Sequence, residues 1–225
     1  TEKDMNAILE PAGPVLRVDV ISDVVCPWCY VGKRQLEAAL ARWREAHPDT
    51  PDPQVRWHPF QLNPDLPEEG MARADYLARK FGTPDPGAIY QRVSAAARAV
   101  GLEPDFAKIA RQPNTLRAHA LIGAAQGDAQ QAVVERLFLA YFVEGADLSS
   151  REALEQLARE AGLPDAAIRE ALDGAGAQQA ARDDTEARKL GVSGVPFFVI
   201  DGKLGVSGAQ GADALLAAFE QARAA

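Results

Sequence analysis

The tetrapeptide Cys26-Pro27-Trp28-Cys29 narrows the choice of fold more than any other stretch of the chain. It holds both cysteines of the sequence, and it stands at a seam between two kinds of pattern. Before it runs an apolar, largely β-branched segment, Val15-Leu16-Arg17-Val18-Asp19-Val20-Ile21, which reads as a strand covered on both faces. After it runs a helical segment from Gly32 to Ala46, with Leu36, Leu40 and Trp43 on one face. A C-x-x-C at a strand-to-helix junction is a redox pattern rather than half of a zinc site. Two thiolates do not close a tetrahedral zinc shell, and no His or Cys stands nearby at finger spacing, so no metal is expected.

The helix should stop at His47-Pro48, because the residue before a proline is driven out of the helical region. Gln54 to Phe60 reads as a second strand, and Pro59 confines it to a strand end or a sheet edge. Strand, helix, strand makes a βαβ unit with parallel strands. From Asn63-Pro64 the period turns helical. Gly82 and Gly101 are expected as helix stops, and Asn114 and Asp128 as N-caps. Val134, Leu137, Phe138 and Tyr141 form a single stripe. Ser149 with Glu152 has capping-box spacing, and Gly162 closes the helix that follows. Further helices are expected over Pro164–Leu172 and Gln178–Leu190.

The period then reverts. Val195 to Ile200 reads as a buried strand, Asp201-Gly202 as a hairpin turn, and Lys203 to Val206 as the antiparallel return. A helix carrying Leu215, Leu216 and Phe219 follows. The order β-α-β … β-β-α is that of an α/β thioredoxin-like fold with an inserted all-helical domain. The expected thioredoxin-like domain is discontinuous, over residues 1–63 and 186–225, and the insertion spans 64–185. Residues 1–14 read as a loose leader.

Composition adds exclusions. The chain is 47% hydrophobic and 25% charged, enough for an ordinary core, and its net charge of -8 disfavours nucleic acid or an anionic membrane as partner. No apolar run approaches the roughly 18–20 residues that span a bilayer. The first residues, Thr1-Glu2-Lys3-Asp4-Met5-Asn6, lack a basic segment followed by a long apolar one, so a cytoplasmic location is expected. A dithiol in that compartment is catalytic or redox-sensing.

Disulfide exchange needs a thiolate, and an ordinary thiol is mostly protonated at neutral pH. Cys26 sits where the helix begins, with Pro27 at the favoured first position, so unpaired N–H groups and the positive helix end favour its anion. Cys29 lies one turn further in and is more shielded. Cys26 is therefore expected to be the nucleophile and Cys29 the resolving thiol. Pro196 opens an apolar strand where proline is unwelcome. An ordinary trans proline at a strand start explains it; a cis bond after Val195 would bend the chain there instead.

Several blocks together resemble a known family. They are Ser22-Asp23-Val24-Val25-Cys26-Pro27-Trp28-Cys29-Tyr30, Pro59-Phe60-Gln61-Leu62-Asn63-Pro64, Asn114-Thr115-Leu116-Arg117-Ala118-His119, and Gly191 to Gln210 with Gly194-Val195-Pro196-Phe197-Phe198 inside it. From about Val15 onward the chain resembles the DsbA-like branch of the thioredoxin superfamily. Within it, the chain is similar to FrnE-type dithiol-disulfide oxidoreductases, relatives of 2-hydroxychromene-2-carboxylate isomerase and kappa-class glutathione transferase. The resemblance implies that Pro196 is a cis-proline facing Cys26 and that the backbone of Val195 pairs with a bound substrate segment. Pro27 and Trp28 are also expected at the substrate-binding surface. In the isomerase and transferase relatives a serine replaces the first cysteine and glutathione is the cofactor. This chain has cysteine at both positions, which favours dithiol chemistry with no organic cofactor, glutathione entering as a possible thiol substrate. Pro-Trp stands where the strongly oxidising periplasmic enzymes have Pro-His, so the direction of electron flow stays open.

Weaker candidates surround this pair. Asp23 is a possible proton relay or tuning group for the cysteines, with a solvated turn residue as the simpler reading. Trp28 and Tyr30 are candidates for an apolar rim, Trp28 exposed and Tyr30 either packed or functional. His58 and His119 read most simply as structural, and Asn114 as a cap. The expected function is thiol–disulfide oxidoreductase or disulfide isomerase acting on protein or small-molecule thiols and disulfides, with a redox partner that regenerates the cysteines. The alternatives are a glutathione-dependent isomerase or transferase and a chaperone-like module without chemistry.

Overall fold

The computed structural model describes residues 15–83 and 87–224, so the expected leader over residues 1–14 lies outside the described part. The chain runs β1 (Arg17–Ser22), α1 (Pro27–Ala46) and β2 (Gln54–Pro59). Next come β3 (Met71–Ala72), α2 (Arg73–Phe81), α3 (Gly87–Ala99), a 3-10 turn (Phe106–Lys108) and β4 (Arg111–Gln112). α4 (Leu116–Gly123), α5 (Gly127–Leu139) with a π-helical turn (Ala140–Glu144), α6 (Arg151–Glu160), α7 (Asp165–Asp173) and α8 (Gly176–Lys189) complete the inserted part. β5 (Phe197–Ile200), β6 (Leu204–Ser207) and α9 (Ala212–Ala224) return to the sheet. The fold is thioredoxin-like with a helical insertion, and the insertion is helical apart from β3 and β4, a two-residue antiparallel pair. The boundary expected at 185/186 falls inside α8.

The four-stranded sheet has the order β2-β1-β5-β6. β1 and β2 are parallel, with Val20 opposite Trp57; β1 and β5 are antiparallel, with Ile21 opposite Phe197. Alternation along β1 sends its side chains to two different layers. Val18 and Val20 join α1 and α9 in the main core, where the Trp43 ring meets Phe219 edge-on at 5.9 Å. Ile21 faces the other way and packs with Phe60, Val199 and Ala187 of α8. Every residue of β1 is buried, polar ones included. Arg17 and Asp19 are accommodated by an ion pair at 2.6 Å, and His58 Nε2 stands 2.8 Å from the second Asp19 oxygen. A buried carboxylate needs such partners.

β2 is an edge strand and Pro59 is its last residue, where a missing N–H costs nothing. The edge is covered by a side chain. The Trp57 N–H donates to Gln130 Oε1 at 2.9 Å, and Gln130 Nε2 donates to the Trp57 carbonyl at 3.4 Å. Gln130 belongs to α5, so this amide ties the insertion to the sheet.

A second tie lies on α1. The Tyr30 ring stacks on Phe138 at 5.0 Å, and the stripe expected from Val134, Leu137, Phe138 and Tyr141 is buried throughout. Each such side chain taken from water contributes about 1.5–3 kcal/mol. Lys33, buried on α1, pairs with Glu135 of α5 at 2.7 Å, and Arg34 shares that carboxylate.

Local signals mostly landed within a residue or two. α2 ends at Gly82 with φ 73°, a left-handed C-cap that glycine adopts freely. Asp201 and Gly202 carry φ of 52° and 67°, as a primed hairpin turn requires, and β6 begins at Leu204. Three caps differ from expectation. α6 is capped by Ser150, whose Oγ accepts from the Ala153 N–H at 3.2 Å, rather than by Ser149. α4 has Thr115 at its N-cap, and Asn114 Oδ1 accepts from the Leu116 N–H at 3.0 Å. α5 begins at Gly127, so Asp128 lies in its first turn.

Candidate active site

The site starts from where β1 ends. Ser22 is its last residue, and the Asp23 carbonyl accepts from the Cys26 N–H at 3.0 Å, closing a turn into α1. Cys26 is the N-cap, in extended conformation at φ -90° and ψ 111°, and Pro27 follows inside the first turn. No carboxylate occupies that first turn, so nothing acidic on α1 opposes an anion at its N-terminus.

Cys26 Sγ lies 3.5 Å from the carbonyl oxygen of Val195, to which the thiol donates. The Val195–Pro196 bond is cis, and the Pro196 carbonyl accepts from the Gly208 N–H at 2.8 Å. Residues far apart in sequence thus meet at one sulfur. Their approach depends on Gly32: a Cβ built there would stand 3.0 Å from Pro196 Cγ and 3.2 Å from Phe198 Cζ. One turn into α1, Cys29 is 1% exposed. Both cysteines are free thiols. Burial, chiefly, pushes the Cys29 thiol well above its ordinary range, and the neighbouring Cys26 sulfur adds to this. The Ser22 hydroxyl and the Asp23 backbone, both within hydrogen-bonding reach of the Cys29 sulfur, act in the opposite direction.

Asp23 is not a solvated turn residue. It is 0% exposed, and its Oδ2 accepts from the Leu62 N–H at 2.8 Å. Its Oδ1 lies 3.4 Å from His119 Nε2, in an alignment that leaves both atoms without a hydrogen-bond partner. Trp28, expected to be exposed, is half-buried against the main core, because the start of α1 folds down onto the insertion. Tyr30 is packed rather than free, stacked between α1 and α5. His58 is engaged with Asp19. The block around Gln61 meets the block around Asn114: Gln61 Nε2 donates to Asn114 Oδ1 at 3.1 Å, and the Gln61 N–H donates to the buried Asp184 Oδ1 at 2.8 Å. Among the described residues no group of three or more His, Cys, Asp or Glu side chains is placed to hold a metal, and no helix is long and apolar enough to cross a membrane.

Sequence reasoning brought Cys26, Cys29, Val195, Pro196, Pro27 and Asp23 forward, and all of them lie at this junction. It passed over Ser22 and Gly32, and it did not join Asp23 to His119. Ser22 stands at the end of β1, opposite Pro59, and no local pattern in the sequence marks it as a neighbour of Cys29.

A family model described as a DSBA-like thioredoxin domain matches residues 17–220. The chain belongs to this family. Among solved structures it is similar to a probable DsbA oxidoreductase from Streptomyces coelicolor, with 31% identity and a TM-score of 0.78 over 93% of this chain and 90% of that one. A 2-hydroxychromene-2-carboxylate isomerase shares the fold at 18% identity and a TM-score of 0.65, covering 91% of this chain and 95% of that one. An uncharacterized protein of Bacillus subtilis, YwbO, is 28% identical over 202 residues, 88% of this chain and 92% of the relative.

Proposed function

We propose that the protein is a thiol–disulfide oxidoreductase working through a Cys26–Cys29 dithiol/disulfide couple on protein or small-molecule thiols and disulfides. The observation that carries this reading is the position of Cys26 Sγ, at the N-terminus of α1 and 3.5 Å from the Val195 carbonyl, with Cys29 buried one turn behind it. In the reducing direction the Cys26 thiolate attacks a substrate disulfide. One substrate sulfur leaves as thiolate and the other stays bonded to Cys26. Cys29, deprotonated, then attacks Cys26, the internal disulfide forms, and the second substrate thiolate departs. The oxidising direction is the reverse. Val195 offers backbone groups to an extended substrate segment, and Pro196, Pro27 and Trp28 frame the approach. Asp23 tunes the pair from beneath. A second redox protein or a low-molecular-weight thiol such as glutathione restores the cysteines, and the compartment in which this happens is the cytoplasm.

The glutathione-dependent isomerase reading, which would need no internal disulfide in this chain, draws support from the fold shared with a 2-hydroxychromene-2-carboxylate isomerase. Turnover of insulin disulfides and of scrambled ribonuclease separates the two. Wild type should act on at least one of them and Cys26→Ser on neither. Wild type inert in both, with a glutathione-dependent isomerisation that survives Cys29→Ala, would replace the proposal with the alternative.

A further inference from the structure

Cys29 must lose its proton before it can resolve a mixed disulfide, yet it is 1% exposed and burial disfavours its anion. Solvent does not reach it, and the Asp23 carboxylate is turned toward Leu62 and His119. The polar side chains that lead away from its sulfur begin with Ser22, whose hydroxyl is within hydrogen-bonding reach. Ser22 and His119 line one cavity of about 10 Å³, walled otherwise by Val24, Trp57, His58 and Phe138 among others. That is the size of a single water, and the walls offer polar partners for one. His119 Nε2 and Asp23 Oδ1, both buried, have unused hydrogen-bonding capacity here. A buried carboxylate favours a cation or a proton beside it, so a proton delivered to His119 has a place to rest.

We infer that Ser22 and the buried His119–Asp23 pair form the proton route of the resolving cysteine. The route presupposes the oxidoreductase reading. In the resolving step Cys29 gives its proton to the Ser22 oxygen as the Ser22 proton passes to one water in the cavity and a proton of that water passes to the imidazole of His119. The imidazolium that results lies against Asp23. The Cys29 thiolate bonds to Cys26 sulfur, the bond from Cys26 to substrate breaks, and the substrate leaves with the electron pair and takes a proton from solvent. In the reverse direction His119 returns the proton to Cys29. His58 lies on the same cavity, but its Nε2 is engaged by Asp19 at 2.8 Å. Tyr141, whose hydroxyl is directed to Gln112 Oε1 at 3.3 Å, is held protonated by burial. The α5 side of the cavity, Val134 and Phe138, is apolar.

Reduced protein mixed with excess Ellman's reagent reads the two steps separately. One thionitrobenzoate is released when Cys26 attacks, and a second when Cys29 resolves. His119→Gln and Ser22→Ala should leave the first release within about twofold and slow the second by about a hundredfold or more at neutral pH, the lower end of a general-base contribution. The second rate in His119→Gln should climb steeply with pH, as it follows the small fraction of Cys29 already ionised, where wild type is flatter. A second release at the wild-type rate in both variants, equal slowing of both releases, or a loss found in His58→Gln instead would overturn the route. Should wild type give no first release from Cys26, the oxidoreductase reading itself has failed. If His119→Gln does not fold, Ser22→Ala alone decides, since it removes one hydroxyl.

Discussion

Replacing Gly32 by alanine tests how tightly α1 is seated on the Pro196 loop. The new Cβ would lie 3.0 Å from Pro196 Cγ, 3.2 Å from Phe198 Cζ and 3.5 Å from Pro196 Cβ. Carbon contacts are most favourable at about 3.5–4.0 Å, so the two surfaces must part by roughly 0.5 Å. Neither neighbour is the loose end of a flexible chain; one is a proline ring and the other a buried phenyl. Overpacking of this kind costs about 1–3 kcal/mol. Alanine returns about 1 kcal/mol over glycine inside a helix. The net expectation is a loss of about 0–2 kcal/mol, which at a urea slope of about 2–3 kcal/mol/M lowers the midpoint by up to about 1 M. The local effect is larger than the global one. Parting the surfaces stretches the Cys26 Sγ to Val195 contact beyond its present 3.5 Å, the long end of what a thiol can bridge. Urea denaturation and the rate at which Cys26 reacts with Ellman's reagent are the two assays. A midpoint that rises by the full propensity gain, with an unchanged thiol rate, would refute the close seating of α1 on Pro196.

Two further outcomes follow from groups the fold buries. The raised Cys29 thiol stabilises the reduced protein below the ordinary thiol value of about 8.5; above it the unfolded chain ionises while the native thiol does not, so stability should fall by up to about 1.4 kcal/mol per pH unit. Urea titrations from pH 7 to 10 should show that slope in reduced wild type and a smaller one in Cys29→Ala; equal slopes would contradict the buried thiol. Gln130→Leu strips the β2 edge of its amide and leaves the Trp57 N–H and carbonyl unpaired, a loss of about 1–3 kcal/mol by urea denaturation, with a loss under about 0.5 kcal/mol as the contrary result.

How far the sequence spoke for this arrangement depended on how local each cause is. β1, the start of α1 at Pro27, the Asp201-Gly202 hairpin and the Val134–Tyr141 stripe are written in runs of neighbouring residues, and those runs were readable. Caps slipped by a residue or two, because which of Ser149 and Ser150 caps α6 is settled by how Asp147 holds the loop before it: the Ser149 hydroxyl already donates to Asp147 at 2.5 Å. The β3–β4 pair has two residues per strand, too few to show a period. The burial of Asp23, Asp19 and Lys33 was out of reach for a stronger reason. A charged residue reads as solvated until its partner is known, and those partners, His119, His58 and Glu135, come from other elements. The redox pair was legible since its chemistry needs spacing and a helix start. Of the proton route behind it only Asp23 was legible, as a possible relay; Ser22 and His119 were not, since they share only a cavity.

The most direct test of the central claim is to trap the mixed disulfide. Cys29→Ser, incubated with glutathione disulfide and then with a reduced, unfolded protein substrate carrying an activated thiol, should accumulate an adduct that peptide mass spectrometry places on Cys26, while Cys26→Ser accumulates none. An adduct on Cys29 in the Cys26→Ser variant, or no adduct in either, would contradict the assignment of Cys26 as the attacking sulfur and Cys29 as the one that resolves.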